Sequence, residues 1–291
     1  MKIIVTGASG FIGRSLCNSL RNVHVIKPGR NSWSEELDGV DCIIHLASIV
    51  HQNSSLLIPL SKYREVNVIK TVNFAKKAIL AGVKRFIFVS SISVNGSSIK
   101  GESSFCPDDT PFPQSSYAVS KWDAERILKE ITKNSKMELV IVRPPLVYGP
   151  GVKSNFLAML KYLQKGLPIP VINSKKSFVF IDNLIDLLIK LIDHPKAVGE
   201  TFFVSDDEDI LLKNLMIDIS KEFGCSSKII NIPQKLIVFF LKIIGKKHIA
   251  TSLFESLTVD IKKTKQLLSW TPPVKYSQGI KITVQGYLDG R

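Results

Sequence analysis

At 291 residues, 45 % hydrophobic and 22 % charged, the chain can bury a sizeable core and has an ordinary globular composition, which excludes a disordered or low-complexity polypeptide. Its net charge of +14 and pI near 9.6 draw anions, but the basic residues are scattered in pairs such as Lys175-Lys176, Lys246-Lys247 and Lys262-Lys263. With no block of interleaved aromatics, nucleic acid is not an expected partner, and the charge suits a diphosphate-bearing substrate, an anionic membrane face or a solvated surface.

Taken in order, the first half alternates short apolar strands with helical patterns, the mark of a parallel sheet covered by helices on both faces. Lys2 to Thr6 reads as a buried strand, Gly7 to Gly13 as a turn into a helix reaching about Leu20, and Val23 to Ile26 as a second strand. A short helix over Ser34 to Gly39 precedes a third strand, Cys42 to Ala47; the interval is too short for a further helix and strand, so this part is trimmed. A long helix from Tyr63 to Ala81, a strand from Arg85 to Ser91, a helix from Ser116 to Asn134 and a strand from Glu138 to Val142 complete the alternation.

Beyond Gly149-Pro150-Gly151 the pattern loosens into a helix over Ser154 to Lys165, an extended piece over Phe178 to Ile181 and a helix over Asn183 to Ile192. Thr201 to Val204 can rejoin the sheet, and helices follow near Leu211 to Phe223, Pro233 to Gly245 and Lys262 to Leu268. The expected fold class is α/β: a Rossmann-like, doubly wound parallel sheet with a smaller, interleaved C-terminal α+β substrate domain. The expected boundaries are residues 1–150, rejoined by about 178–205, for cofactor binding, and 151–177 with 206–291 for substrate. Cys17, Cys42, Cys106 and Cys225 lack paired spacing and Met1-Lys2 leads straight into a strand, so a reduced, cytoplasmic protein is expected. The apolar run Leu236 to Ile244 is far short of the ~20 residues of a membrane span, yet it can lie on a membrane surface, at the inner face.

Two patterns carry chemistry. Gly7, Gly10 and Gly13 stand between a strand and a helix, where glycine lets the backbone approach a pyrophosphate and the helix N-terminus offers N–H groups. Tyr117 and Lys121, four apart on a helix, share one face, and an ammonium beside a phenol favours the phenolate, so Tyr117 is expected to exchange a proton near neutrality. About 20 residues beyond the glycines an NAD site carries an acidic residue; here Lys27 and Arg30 stand instead. Neither accepts a bond from a 2′-hydroxyl and both can hold a 2′-phosphate, so NADP(H) is favoured, with NAD(H) as the alternative. No His/Cys/Asp/Glu cluster has metal-ligand spacing, so no metal is expected; His45 and His51, beside this crevice, read as structural.

The glycine turn, Ser91, Tyr117-x-x-x-Lys121, Val66-Asn67-Val68, Arg143 to Gly151 and Val259-Asp260 with Leu268 to Pro272 resemble the extended short-chain dehydrogenase/reductase family of nucleotide-sugar epimerases, dehydratases and reductases. The resemblance implies that Ser91 and Tyr117 contact the sugar oxygen while Lys121 holds the nicotinamide ribose. It places Phe11, Ile12, Ala47 and Asn67 around the cofactor and Pro144 near the nicotinamide, with a helix-capping or turn asparagine as the alternative for Asn67. Asn155 matches an asparagine on the nucleotide diphosphate, and Lys176 falls where many relatives have an arginine; lysine lacks the bidentate fork. Lys246, Lys247 and His248 are further diphosphate candidates, with a solvated face as the alternative. A UDP-sugar substrate and a homodimer are implied.

Ser90-Ser91-Ile92-Ser93 lacks the acidic pair of the dehydratases, so dehydration is not expected. The stretch Ser90 to Gly96 resembles a branch of O-antigen and capsule enzymes labelled UDP-glucose 4-epimerases, some of which are 4-keto reductases forming UDP-N-acetylquinovosamine. The leading expectation is NADPH-dependent reduction of a UDP-4-keto-6-deoxy-N-acetylhexosamine at C4. The alternatives are a 4-epimerase of a UDP-hexose or UDP-N-acetylhexosamine, the same chemistry on a polyprenyl-linked sugar, and a non-catalytic NADP-binding regulator.

Overall fold

A computed structural model describes residues 1–21, 23–29, 33, 37–50, 58–99, 101, 103–243 and 253–290. Six strands form one parallel sheet in the order β2-β1-β3-β4-β5-β9: β1 (Lys2–Thr6), β2 (His24–Ile26), β3 (Cys42–His45), β4 (Arg85–Val89), β5 (Glu138–Arg143) and β9 (Thr201–Phe203). Ile4 pairs with Ile43, Ile43 with Phe86 and Phe86 with Leu139, so like-sized apolar side chains line up across the centre.

Strand residues alternate between two helical layers. Ile3, Val5, Ile44, Ile87, Val89, Val140 and Val142 pack with Leu16, Leu184, Leu187 and Leu188 from the helices Phe11–Ser19 and Ile181–Lys190. On the other face Ile4, Ile43, Phe86, Phe88, Leu139 and Ile141 meet Val72, Ala75, Ala78, Ala124 and Leu128. These last come from the helical run 60–80 and the helix Ser116–Thr132. Burial on both faces is why the strands read as unbroken apolar runs.

The run 60–80 begins three residues before the expected start and contains a π-helical stretch, Arg64–Lys70, which periodicity alone does not announce. The helix expected over 34–39 lies mostly outside the described residues, and 38–39 within it form a turn.

Residues beyond 145 build two small sheets. In one, β8 (Lys175–Phe180) lies between β6 (Leu146–Tyr148), parallel to it, and β10 (Asp209–Leu211), antiparallel. The other pairs β7 (Ile169–Pro170) with β11 (Ile229–Ile230). Thus Thr201–Phe203 rejoins the large sheet beside β5, whereas the extended piece near 178–181 belongs to a separate sheet. Helices Ser154–Gln164, Leu212–Glu222, Gln234–Ile243 and Lys262–Leu268 match the expected positions, and a further helix, Tyr276–Leu288, closes the described chain. A buried network ties that end down. Tyr148 donates to Asp206 Oδ2 at 2.7 Å, Asn183 donates to Asp206 Oδ1 at 2.7 Å and to the Val274 carbonyl at 2.8 Å, and Val274 N donates back to Asn183.

His45, at the end of β3, is fully buried between the hydroxyls of Thr6 (2.8 Å) and Thr71 (3.0 Å), with its ring against Phe86 and Phe88. Burial first, and then the Lys121 charge, pull its pKa down to about 3. The folded chain therefore holds His45 neutral where the unfolded chain takes up a proton, and stability falls as pH drops from the unfolded value towards the folded one. Between pH ~6.5 and ~4.5 urea unfolding should show the wild type losing about 2 kcal/mol more than His45→Gln; equal losses would mean that His45 does not titrate in this way.

Candidate active site

The chain leaves β1 for β2 on one side and then crosses to β3 on the other, so a topological switch point opens at the carboxyl ends of β1 and β3. Gly7 turns out of β1 with φ +71°, and a Cβ there would sit 2.9 Å from the Ala47 nitrogen. A Cβ on Gly13 would lie 2.2 Å from the Gly7 carbonyl oxygen, and Gly10 N donates to that same oxygen at 2.9 Å. The turn is thus folded against itself and against the end of β3 more tightly than any side chain permits. The helix starting at Phe11 has no side-chain cap, so its first N–H groups point outward for an anion.

The segment after β3 is fastened from behind. Ala47 N donates to Thr6 Oγ1 at 3.3 Å, Ile49 N to Asn67 Oδ1 at 2.8 Å, and Asn67 Nδ2 returns to the Ile49 carbonyl at 3.1 Å. Asn67 is buried in the π-helical stretch, which swings its amide to reach Ser120 Oγ at 3.1 Å as well. Ser120 in turn donates to the Tyr117 carbonyl at 2.7 Å.

Ser91, just past β4, caps the turn Ile92–Val94. Its Oγ accepts from Ser93 N at 3.2 Å and from Ser93 Oγ at 2.9 Å, leaving its own proton to be directed elsewhere. Ser115 caps the Ser116–Thr132 helix, whose first turn presents Tyr117. The Tyr117 phenol is partly buried, has the Ser48 and Ser91 hydroxyls beside it, and meets Tyr63 edge-on at 6.2 Å between ring centroids. Burial pushes its pKa up to about 12 against the lowering effect of those two hydroxyls. Lys121 is 1 % exposed, donates to the Val89 carbonyl at 2.7 Å and sits 4.3 Å over the Phe88 ring. Burial brings its ammonium down to about 7, with Glu125 opposing. The expectation that Lys121 lowers the phenol therefore needs correcting: desolvation acts on both groups, raising the acid that is neutral when protonated and lowering the one that is charged.

Next to this pair lies an ion pair buried from solvent. Arg143, 2 % exposed, places Nη2 2.5 Å from Oε2 of Glu125, which is 0 % exposed, and Nη1 donates to Asn95 Oδ1 at 2.8 Å. Pro144, buried beside it, accepts from Ile92 N at 3.0 Å. Helix, strand and serine turn are locked together at one point.

Of the other expected site residues, Phe11 and Ile12 are partly buried against the core, and Lys27 is exposed with its charge felt by the Cys17 thiol. Asn155 is exposed in the first turn of Ser154–Gln164. Lys176 donates to the Glu255 carbonyl at 2.7 Å, and burial lowers its pKa to about 8. Arg30, His51, Lys246, Lys247 and His248 lie outside the described residues. Among the described residues no group of three His, Cys, Asp or Glu side chains could hold a metal ion. Sequence reasoning missed Ser48, Ser120 and Glu125. Glu125 was within reach, since it lies four residues beyond Lys121 on the same helical face; the two serines carried no signal.

A family model described as the NAD dependent epimerase/dehydratase family matches residues 3–205. A UDP-glucose 4-epimerase of Vibrio cholerae is 36 % identical, over 98 % of this chain and 95 % of its own. Among solved structures, UDP-glucuronic acid 4-epimerase from Bacillus cereus with UDP-glucuronic acid and NAD is similar, with a TM-score of 0.80, 22 % identity and full coverage of both chains. RMD from Pseudomonas aeruginosa with NADPH has a TM-score of 0.81 at 16 % identity, covering 100 % of this chain and 99 % of that one. These two likenesses show the Rossmann-like fold. With the family model spanning well over half of its length, the chain belongs to the NAD dependent epimerase/dehydratase family, a family of enzymes within the extended short-chain dehydrogenases/reductases.

Proposed function

We propose that this enzyme exchanges hydride at C4 of a UDP-linked hexose, with Tyr117 moving the proton at the C4 oxygen. The observation that carries the reading is the meeting of Tyr117 with Ser48 and Ser91 beside the buried Lys121, at the same end of the sheet as the glycine turn. The turn fits a dinucleotide because its glycines clear space that a Cβ would fill at 2.2 Å and 2.9 Å. Gly7, Gly10, Gly13, Phe11, Ile12 and Ala47 would hold its diphosphate half, and Lys121 and Pro144 its nicotinamide half, while Asn67 shapes the wall by fastening Ile49. A nicotinamide dinucleotide, when bound, supplies and accepts the hydride.

Tyr117 gives its proton to the sugar oxygen in the reducing direction and takes it back in the other. Ser91 directs its hydroxyl proton at the same oxygen because Ser93 occupies its acceptor side. A phenol at about 12 is a reluctant acid without help; a Lys121 ammonium turned towards it is the charge that would stabilise the phenolate. Asn155 and Lys176 are our choice for the UDP diphosphate, in a division of the chain near residue 150 between cofactor and substrate halves.

Our leading reading is NADPH-dependent reduction of a UDP-4-keto-6-deoxy-N-acetylhexosamine, supported by Lys27, exposed just past β2 where a 2′-phosphate would lie. A second reading, 4-epimerisation of a UDP-hexose with NAD, is favoured by the Vibrio cholerae relative. We expect a homodimer in a reducing compartment, in keeping with four free cysteines.

The two readings separate in one assay. Purified protein given NADPH and the 4-keto sugar should deplete the nicotinamide absorbance; no depletion, together with interconversion of UDP-glucose and UDP-galactose without added cofactor, would select the epimerase. In either case Tyr117→Phe should lower turnover by roughly a hundredfold to ten-thousandfold with dinucleotide affinity unchanged, as read by nucleotide titration. Full activity in that variant would remove Tyr117 from the mechanism.

A further inference from the structure

The helix Gln234–Ile243 presents apolar side chains to solvent. Leu236 is 48 % exposed, Phe239 57 % and Ile243 65 %. Positions 236, 239 and 243 follow the three- and four-residue spacing of one helical face, so the three form a stripe along the outside, while Ile237 and Val238 turn partly inward. Exposed apolar surface in such a row marks an interaction site.

Charge indicates the occupant. From Glu222 to Glu255 the sequence has no acidic residue between them, and five lysines, Lys228, Lys235, Lys242, Lys246 and Lys247, fall in the interval. Lys228 and Lys235, on either side of the loop leading into the helix, are exposed. Elsewhere some exposed lysines are answered by a nearby carboxylate, as Lys62 is by Glu65 and Lys84 by Asp41. An apolar stripe flanked by cations with no anion in the whole segment suits a surface that is oily within and negative at its rim. No described helix is long and apolar enough to cross a membrane, so a lipid contact of this segment would be with the surface of a bilayer.

We infer that the helix Gln234–Ile243 docks the enzyme on anionic phospholipid, with Leu236, Phe239 and Ile243 entering the headgroup boundary and Lys228 and Lys235 meeting the lipid phosphates. This goes beyond the reaction and holds whichever sugar is the substrate.

The test is cosedimentation of the full chain with vesicles of phosphatidylcholine alone or with about one third phosphatidylglycerol, across a range of ionic strength. The protein should bind the phosphatidylglycerol vesicles, release from them as salt rises, and leave the neutral vesicles unbound. Leu236→Ser with Ile243→Ser, which keeps Phe239, should weaken binding by about tenfold or more, with an unchanged thermal midpoint. Lys228→Glu with Lys235→Glu should weaken it without touching an apolar residue, and so tests the inference even if the serine variant misfolds. Absence of binding by the wild type, equal binding to neutral vesicles, or undiminished binding by both variants would overturn the inference. A dimer in solution that the serine pair converts to monomer, without any vesicle binding, would assign the stripe to a second copy of the chain instead.

Discussion

The buried pair between Arg143 and Glu125 is the constraint on which the active-site geometry rests. Arg143 ends β5, Glu125 belongs to the helix that carries Tyr117 and Lys121, and Asn95, held by the same guanidinium, closes the turn that carries Ser91. One side chain thus fixes the distance between three elements that are remote in sequence. Breaking such a pair by deleting one partner costs about 3–5 kcal/mol, because the other charge is left buried and alone. The pair is weak evidence for stability in itself. Its value is that a displaced helix, strand or serine turn would each leave a charge stranded, so the alternatives are penalised and a single arrangement survives.

Around that anchor burial governs the electrostatics. Lys121 and His45 are both driven towards their neutral forms, and Tyr117 is held in its own. Each is compensated by fixed partners: the Val89 carbonyl for Lys121, two threonine hydroxyls for His45, two serine hydroxyls for Tyr117. Buried groups of this kind have little solvent to reorganise when charge develops beside them, which is the condition under which oriented dipoles are most effective.

The alternating strands and helices of the first half were legible in the sequence because burial on both faces writes itself as continuous apolar runs bounded by glycine. That Tyr117, Lys121, Ser91 and the glycines gather at one end of the sheet was legible because they stand at strand ends or on one helical face. What stayed hidden was of two kinds. Ser48 and Ser120 act through contacts across the fold, and nothing in their local sequence distinguishes them from surface serines. The π-helical stretch that turns Asn67 inward changes the helical period for only seven residues, too few to register as a pattern. In the second half the strands are two to six residues long, short enough that their pairing is decided by tertiary contacts rather than by their own composition.

The way the last residues return to the large sheet bears on how the protein is made. Thr264 donates to the carbonyl of Phe203 in the edge strand β9, and Trp270 donates to Asp186 on a helix that covers the sheet. Asn183, on that same helix, exchanges bonds with Val274. During synthesis, then, the first five strands can assemble early, but the sixth has its outer flank completed only by chain that follows it by 61 residues. The residues that seal this edge are therefore made well after the strand itself, and the nascent chain exposes an unfinished sheet edge until Thr264 has been synthesised.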